Sequence, residues 1–413
     1  MAPTPNTPIN GADTAWLLVS TAFVLMMTPA LGFFYGGMVR AKNALNTLMM
    51  SFSALGFVGL AWAFAGYSLA FGPHWSDFLA LRGVGIAAQG TIPHLLFFAY
   101  QGTFAIITAA LISGAIVERM RFGAYLLFIT LWSLLVYAPL AHWVWGGGWL
   151  ARLGALDFAG GTVVHVNAAA AAFVCAIVVG SRKDYARTAV LPQNVPFTLL
   201  GAGLLWLGWF GFNAGSALAA NGTAALAFTN TMLAPAATLA VWTLLDLRRN
   251  GKATAVGAAT GIVVGLVAIT PAAGYIPPLS AILLGAFAAF PSYVALLYRA
   301  KTRLDDSLDV VAAHGVGGIA GALLTGLLAS KQWNPAGADG SLRQLGVQAI
   351  AVAATIVYSG ALTFLILKAV SLLTALRTKP QEEGLGLDFT QHGEEAYSHG
   401  EGAILLLDRK GEA

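Results

Sequence analysis

The charged residues of this chain are gathered into short clusters that leave long apolar runs between them. Only 10% of the 413 residues are charged and 58% are hydrophobic, whereas soluble domains carry about 25% charged residues. A run of about 20 apolar residues crosses the hydrocarbon core of a bilayer as one helix. The chain is therefore predicted to be an all-α integral membrane protein. Nine runs without Asp, Glu, Lys or Arg are long enough to cross: 14–39, 43–76, 83–117, 122–151, 158–181, 188–245, 253–298, 310–330 and 344–367.

Two of these runs are long enough for two helices each. Turn-forming residues divide them: Asn221-Gly222 lies inside 188–245, and the stretch from Pro271 to Pro278 lies inside 253–298. Seven single runs and two double runs predict eleven transmembrane helices. An odd number of helices places the two chain termini on opposite sides of the membrane.

The distribution of Lys and Arg predicts which side each terminus occupies. With the N-terminus outside, thirteen basic residues fall in the inner loops and four in the outer loops. The inner set is Arg40, Lys42, Arg119, Arg121, Arg182, Lys183, Arg187, Arg248, Arg249, Lys252, Arg299, Lys301 and Arg303. The outer set is Arg82, Arg152, Lys331 and Arg343. Because cytoplasmic loops carry the excess of basic residues, we expect the N-terminus outside and the C-terminus in the cytoplasm.

One short pattern occurs twice. Asp157 and His165 enclose seven residues, and so do Asp306 and His314. Eight residues of helix advance about 12 Å, close to half of a hydrocarbon core of about 30 Å. Five spans in each half is an odd number, so two similar halves lie inverted relative to each other. The pattern therefore predicts a five-plus-five inverted repeat, as in many transporters, with two histidines that meet near the bilayer midplane.

A histidine inside the hydrocarbon core needs a polar partner or a cavity. His165 and His314 can partner each other, because a neutral imidazole has one donor and one acceptor, and desolvation favours the neutral state of both. Three readings remain open: a buried polar lock between helices, a pair of metal or haem ligands, and a pore-lining pair. No cluster of Cys, His or Glu accompanies the two residues in the sequence, which speaks against a metal site. We favour a pair that hydrogen-bonds a small polar solute in transit.

Further candidates lie near the predicted outer surface. Trp145 directly precedes three glycines, Gly146 to Gly148, and a turn there can hold the indole ring over a vestibule. A cation over an indole face gains about 0.5–2 kcal/mol. Asp157 is predicted first to cap span five and second to attract cations to the mouth. Phe104 and Phe212 have glycines and polar residues as neighbours, but the residues alone do not separate a pore position from a core or lipid-facing one.

Motifs along nearly the whole chain, from about Asp13 to Tyr397, resemble the ammonium transporter family (Amt/Mep/Rh), and its Amt branch more than its Rh branch. The most specific segments are Phe34-Tyr-Gly-Gly, Val39-Arg-Ala-Lys-Asn43, Gln101-Gly-Thr-Phe104, Glu118-Arg-Met-Arg-Phe122, Val144-Trp-Gly-Gly-Gly148, Asp157 to Asn167, Gly208 to Ser216 and Asp305 to Gly318.

This resemblance implies an eleven-helix protomer with the N-terminus outside, assembled as a homotrimer with one pore per subunit in the plasma (inner) membrane. Ammonium would be recruited at an outer aromatic site and deprotonated, and ammonia would pass through a hydrophobic pore, with or without the proton following. By the same resemblance, the outer site falls on Phe104, Trp145, Ser216 and Asp157, the gate on Phe104 and Phe212, and the pore on His165, His314 and Trp209.

Alternative functions are an ammonium sensor that binds without turnover and signals through the tail, and a Rh-like gas channel for ammonia or carbon dioxide. Trp145 and Ser216 speak against the gas channel. A membrane redox enzyme with histidine ligands ranks last. The sequence has no nucleotide-binding loop, channel-filter signature or nucleophile elbow, so we predict no enzymatic activity, no cofactor, no metal and no nucleic-acid partner.

We divide the chain into a transmembrane domain, 1–376, and a cytoplasmic regulatory tail, 377–413. Within the first, the repeat halves lie at about 14–181 and 195–330, and the last helix at about 344–376. The tail segment from Gly386 to Tyr397 resembles the one that PII-type nitrogen regulators engage. Glu118 and Arg119, at an inner helix end, are predicted to be structural. The N-terminal stretch before Thr14 has no basic residue and does not resemble a secretory signal.

Overall fold

The computed structural model describes residues 8–188 and 190–397. In this part of the chain, ten helices are long and apolar enough to cross a membrane, and one shorter apolar helix accompanies them. We number them as spans 1 to 11: Gly11–Met38, Ala41–Phe71, His94–Ala115, Phe122–Leu153, Gly161–Val179, Val195–Ala217, Gly222–Asn250, Ala255–Ile269, Pro278–Arg299, Val311–Leu328 and Leu342–Leu373. The prediction of an all-α membrane protein with eleven helices in a five-plus-five inverted repeat is confirmed.

The breaks inside the two long apolar runs lie where the turn residues predict them. Asn221 is the cap of span 7, and its side chain accepts a hydrogen bond from the Ala224 N–H at 3.1 Å. Span 8 ends at Ile269 and span 9 begins at Pro278, so the Pro271–Pro278 stretch forms the connection. Such caps matter because the end of a helix leaves backbone donors without partners.

Short elements lie outside the spans. Two short strands, Ala88–Gln89 and Ile92–Pro93, pair antiparallel between spans 2 and 3. In the tail, a short helix, Pro380–Leu385, is followed by a wide turn, Asp388–His392. The remainder of the predicted tail, 398–413, and the first seven residues lie outside the described part of the chain.

Spans 5 and 10 open with the same unusual turn. Residues Gly161–Val166 and Val311–Val316 each form a π-helical turn, which continues as an ordinary α-helix to Val179 and to Leu328. Each turn contains the histidine of the repeated pattern. Because π-turns are rare and often mark functional sites, this shared backbone feature supports the equivalence of the two halves.

Close helix packing at the contact of spans 1 and 6 depends on glycine. A Cβ atom on Gly201 would overlap the backbone of Phe34, and one on Gly208 would overlap the Met27 side chain. Small residues of this kind let transmembrane helices approach each other. The first helices of the two halves therefore form one of the most extensive contacts in the molecule.

A buried ion network lies at the end of the molecule that carries the tail. Glu118 is fully buried and contacts Arg40 and Arg182, each at 2.9 Å. Arg182 also pairs with Asp305 at 2.8 Å. Burial alone would raise the pKa of Glu118, but hydrogen bonds from Arg40 and the charges of Arg182 and Arg40 outweigh it and lower that pKa to about 2. Glu118 and its neighbour Arg119, which hydrogen-bonds four backbone carbonyls, thus hold loops together.

The tail folds back onto these loops. The carboxylate of Asp388 accepts hydrogen bonds from the N–H groups of Leu45 and Asn46 at 2.9 and 2.7 Å, in the first helical turn of span 2. Glu383 accepts the Lys183 N–H at 2.6 Å and pairs with Arg377 at 2.8 Å. The tail therefore caps one helix and contacts the loop that follows span 5.

Candidate transport pathway

A cavity of about 640 Å³ opens at the end of the molecule opposite the tail. We name it the distal cavity. All four residues predicted for the outer site, Phe104, Trp145, Asp157 and Ser216, lie in its lining. They come from spans 3, 4 and 6 and from the loop before span 5, so the fold brings together residues that are distant in the sequence.

Trp145 is fixed by a hydrogen bond and by a ring contact. Its Nε1 donates to the Asp157 carbonyl oxygen at 2.8 Å. Its ring meets Phe104 edge to face, with 6.0 Å between centroids. The chain turns sharply after Trp145, where Gly147 has a φ of 81°, a left-handed conformation that glycine adopts without strain. An indole held in this way at a cavity wall is a suitable partner for a cation.

Ser216 offers an acceptor to the same cavity. Its Oγ lies 2.8 Å from the Phe212 carbonyl oxygen, to which the hydroxyl donates its proton. The neighbouring Tyr100 hydroxyl lies 3.3 Å away and has the carbonyls of Gly211 and Phe212 as its own acceptors. The Ser216 oxygen therefore keeps lone pairs that can accept a hydrogen bond from a solute.

Asp157 is a helix cap. Its buried carboxylate accepts hydrogen bonds from the backbone N–H groups of Gly160, Gly161, Thr162 and Val163 at 2.5 to 3.0 Å, and from the Thr162 hydroxyl. A carboxylate offers about four lone-pair positions, so the start of span 5 occupies all of them. This geometry corresponds to the structural role that the sequence analysis placed first.

Two phenylalanine rings close the inner end of the distal cavity. Phe104 and Phe212 are stacked, with centroids 4.2 Å apart and planes inclined by 22°. Both side chains are buried, and the Phe212 ring lies 6.1 Å from the ring of His165. The stack therefore separates the distal cavity from the region of the histidines.

The two histidines of the repeated pattern meet behind this stack. The Nδ1 atoms of His165 and His314 are 3.2 Å apart, and both side chains are buried. One Nδ1 must donate and the other accept, so the remaining Nε2 atoms differ: one carries a proton and the other a lone pair. Trp209 stacks on His165 at 5.4 Å and is held by a hydrogen bond to Thr270 at 2.9 Å.

A narrow cavity surrounds the histidine pair. It has a volume of only about 10 Å³ and is otherwise lined by apolar and aromatic side chains. About this much space holds a single water molecule. The His165 Nε2 has no hydrogen-bond partner in the described part of the chain. A buried polar atom of this kind is costly, so we expect a small solute to bind it.

A third cavity, of about 250 Å³, continues towards the tail end, and we name it the proximal cavity. His314 contributes to its lining, together with Asp246 and Asp309, which the sequence analysis did not single out. Burial raises the pKa of Asp309 to about 7, although an ion pair with Arg299 at 2.7 Å opposes the rise. The one available signal was the position of Asp309 inside the second copy of the repeated pattern.

The three cavities, the aromatic stack and the paired histidines lie in succession through one chain of eleven apolar helices. Fold and site together define a multi-pass membrane protein whose helices enclose three successive cavities.

The sequence profile of the Ammonium Transporter Family matches residues 15–397, and the chain belongs to this family. An ammonium transporter of Bacillus subtilis (strain 168) is 48% identical over 398 residues, which cover 93% of this chain and 98% of that protein. The crystal structure of Saccharomyces cerevisiae Mep2 superposes with a TM-score of 0.84 at 33% identity, covering 92% of each chain. A structure described as a sensor Amt protein superposes with a TM-score of 0.85 at 28% identity, covering 92% of this chain and 98% of that one. The family is one of transporters, not of enzymes.

Proposed function

We propose that this protein recruits ammonium in the distal cavity, removes its proton there and conducts ammonia past the two histidines into the proximal cavity. The observation that carries the proposal is the hydrogen-bonded pair of His165 and His314 in a cavity of about 10 Å³ between two wide cavities. The narrow cavity has space for one small molecule, and apart from the two imidazoles its lining is apolar and aromatic.

The narrow cavity favours the neutral form of the solute, ammonia, over the cation ammonium. A bare cation in an apolar environment is costly, and the narrow cavity offers too little space for a hydration shell. Ammonium can shed a proton and enter as ammonia, whereas potassium cannot. The proposed pathway therefore discriminates between the two ions by chemistry rather than by size.

The histidine tautomers fit an ammonia molecule. Because the Nδ1 atoms share one hydrogen, one Nε2 is a donor and the other an acceptor. The lone pair of ammonia can accept a hydrogen bond from the donor Nε2, and its hydrogens can be donated to the acceptor Nε2. Water in the open distal cavity can accept the proton of ammonium, and the proposal requires only that the nitrogen passes the pair as ammonia.

At the entrance, Trp145 and Ser216 bind the cation. Phe104 and Phe212 form the gate, and Trp209 orients the ring of His165. Asp157 acts as a positioning residue: it holds the π-turn that carries His165 and, through its carbonyl, the Trp145 ring. The contacts given above support these assignments.

Ammonium-dependent current in proteoliposomes on a solid-supported membrane tests the proposal. His165→Ala should reduce the current and leave the oligomer intact in size-exclusion chromatography. His74→Ala, in an exposed loop, is the matched control and should behave as wild type. Wild-type current with unchanged ammonium-over-potassium selectivity in His165→Ala would refute the role given to the pair.

A second candidate function is ammonium sensing, favoured by the likeness to a sensor Amt protein and by the tail docked on the membrane domain. A pure sensor would bind ammonium and show no sustained flux in the same assay. We rank it second because the pathway continues beyond the aromatic stack to the proximal cavity.

We further propose a homotrimer in the plasma membrane with the N-terminus outside, and a transmembrane domain, 1–376, followed by a regulatory tail, 377–413. Cys175 is the single cysteine and is buried. A cysteine introduced in place of Lys379 can therefore be labelled by a maleimide without background labelling of a second thiol. A membrane-impermeant maleimide should label it in inside-out vesicles and not in right-side-out vesicles.

The docked tail is the proposed site for a PII-type regulator. Binding of a PII-type protein to the purified transporter should be lost when the tail is truncated after Leu376. Unchanged binding after truncation would place the contact elsewhere.

A further inference from the structure

One polar side chain in the wall of the distal cavity has an acceptor without a partner. Gln101 lies on span 3, is 9% exposed and contributes to the lining of this cavity. Its side-chain oxygen, Oε1, has no hydrogen-bond partner in the described part of the chain. Because a buried acceptor without a partner costs free energy, this amide is suited to a solute that supplies N–H donors.

The other amide oxygens in the wall of the distal cavity already accept hydrogen bonds. The Oδ1 of Asn221 accepts the Ala224 N–H at 3.1 Å, and the Oδ1 of Asn334 accepts the Ala336 N–H at 3.0 Å. These two bonds hold a helix end and a loop in place. Of the three amides that line the cavity, Gln101 is thus the one whose oxygen has no partner among the described residues.

The position of Gln101 on span 3 places it just outside the aromatic stack. Span 3 ends at Ala115, close in the chain to Glu118 of the buried ion network at the tail end. Gln101 precedes Phe104 by three residues, so it lies about 4.5 Å further from the tail end along the helix. Residues three apart share one face of a helix, and both side chains line the distal cavity.

The same part of the cavity contains the acceptor on Ser216. The hydroxyl of Tyr100, the residue before Gln101, lies 3.3 Å from the Ser216 Oγ. Ammonium carries four N–H donors, and it loses water molecules as it approaches the stack. The Trp145 ring attracts the charge but offers no lone pair, and the Asp157 carboxylate is fully used by span 5. A second neutral acceptor would therefore replace part of the lost hydration.

An amide suits this place better than a carboxylate does. A negative charge beside the solute would favour its charged form and so oppose the release of its proton. An amide oxygen accepts N–H donors without a net charge. Rotation about the last side-chain bond of Gln101 exchanges the positions of its oxygen and nitrogen, so the oxygen can turn towards the cavity when a cation arrives.

We propose that Gln101 is a substrate-binding residue, whose amide oxygen accepts a hydrogen bond from ammonium in the distal cavity, just outside the stack of Phe104 and Phe212. Ser216 and Trp145 bind the same ion. The inference rests on the proposed function and adds to it a second acceptor, which sets the affinity of the entrance for ammonium.

The test is ammonium-dependent current in proteoliposomes of Gln101→Leu, a variant of similar volume without the amide. The half-saturating ammonium concentration should rise about tenfold, with little change of the current at saturation. A tenfold change corresponds to about 1.4 kcal/mol, the lower end of the contribution of a hydrogen bond to a charged group. Thr103→Val is the matched control, because Thr103 is a buried polar residue of the same span that donates to the Tyr100 carbonyl and does not line the cavity.

Gln101→Glu separates a binding role from a packing role, and its near-identical shape keeps the test valid if Gln101→Leu does not fold. A carboxylate should hold the cation more tightly and oppose the loss of its proton, so both the half-saturating concentration and the maximal current should fall. A rise of the half-saturating concentration in both Gln101 variants would show a packing role and overturn the proposal. Wild-type half-saturation in Gln101→Leu, or equal changes in Gln101→Leu and Thr103→Val, would overturn it as well.

Thermal stabilisation by ammonium distinguishes this inference from the proposed transport. A ligand that binds the folded state raises the Tm, so ammonium chloride should raise it above the value in equal potassium chloride. Gln101→Leu should need about tenfold more ammonium for the same rise. If wild type shows this effect but carries no current, transport is refuted and the role of Gln101 stands. If wild type carries current and Gln101→Leu matches it in both measurements, the role of Gln101 alone is refuted.

Discussion

Replacing Glu118 by Gln should destabilise the protein strongly at neutral pH. The carboxylate is fully buried and contacts Arg40 and Arg182, each at 2.9 Å, and it also accepts a hydrogen bond from Asn43 at 2.9 Å. A glutamine amide presents donors to these donors and leaves two guanidinium groups without their shared anion. Removal of one partner from a buried ion pair costs about 3–5 kcal/mol.

The lowered pKa of Glu118 gives a second value for the free energy that its carboxylate contributes to stability. It is lowered from 4.5 to about 2, and each unit of difference corresponds to 1.36 kcal/mol, so the folded state favours the ionised form by about 3 kcal/mol. Because the folded-state pKa is the lower one, this stabilisation is present above pH 4.5 and is lost as the pH falls towards 2.

Thermal unfolding of the purified protein in detergent, from pH 7 down to pH 3, measures this contribution. With an unfolding entropy of about 2.1 cal/mol/K per residue, a loss of about 3–5 kcal/mol should lower the Tm of Glu118→Gln by about 3.5–6 °C at pH 7. The gap to wild type should narrow below pH 4.5. Asp184→Asn is the matched control, because Asp184 also pairs with Arg40, at 3.3 Å, but is 47% exposed, and such pairs contribute little. Equal Tm values for the two variants, or a gap that does not change with pH, would refute the reasoning.

Further predictions concern the pathway and the tail. Trp145→Leu should raise the half-saturating ammonium concentration of the transport current about 2- to 30-fold, the value of a cation–π contact of about 0.5–2 kcal/mol, with little change at saturation. Phe212→Ala removes half of the aromatic stack and should admit a potassium current, measured under the same conditions without ammonium. Asp157→Asn should lower the Tm more than Asp306→Asn, because a hydrogen bond to a charged group contributes about 1.5–3 kcal/mol and the first carboxylate accepts more of them. Asp388→Ala should cost about 1 kcal/mol as a lost helix cap and make the tail cleavable by trypsin after Arg377, whereas an equal digestion rate to wild type would argue against docking.

The membrane fold could be predicted almost completely from the sequence because the hydrocarbon core imposes a simple rule. Every span needs about 20 apolar residues, and turn residues such as Asn221 and Pro278 mark the breaks. The approach of His165 to His314 followed from a short repeat and an odd number of spans per half. Neither step required knowledge of side-chain packing.

Other parts of the pathway could not be predicted, because they depend on helix rotation. An almost uniformly apolar helix gives no pattern that tells which face meets a pore, so Phe104 and Phe212 remained undecided until the fold stacked them at 4.2 Å. Asp246, on span 7, and Asp309, just before span 10, reach the proximal cavity only through the packing of the helices. The hydrogen bond from Trp209 to Thr270 joins span 6 to the residue that follows span 8, and no local motif relates the two.

The repeated pattern places the two histidines, but the residues inside each copy decide how many hydrogen bonds the aspartate carboxyl group accepts. Asp157 is followed by Gly160, Gly161 and Thr162, and these small residues let four N–H groups and a hydroxyl converge on its carboxylate. Asp306, in the equivalent place, accepts one hydrogen bond from the Val311 N–H at 2.7 Å, and its Oδ1 has no partner in the described residues. Burial raises the pKa of both Asp157 and Asp306, and hydrogen bonds to each carboxyl group oppose the rise. The π-turn is therefore held at the distal end by a carboxyl group that accepts five hydrogen bonds and at the tail end by one that accepts a backbone hydrogen bond from Val311. The two inverted halves can thus present paired histidines symmetrically while the anchoring of their two π-turns differs.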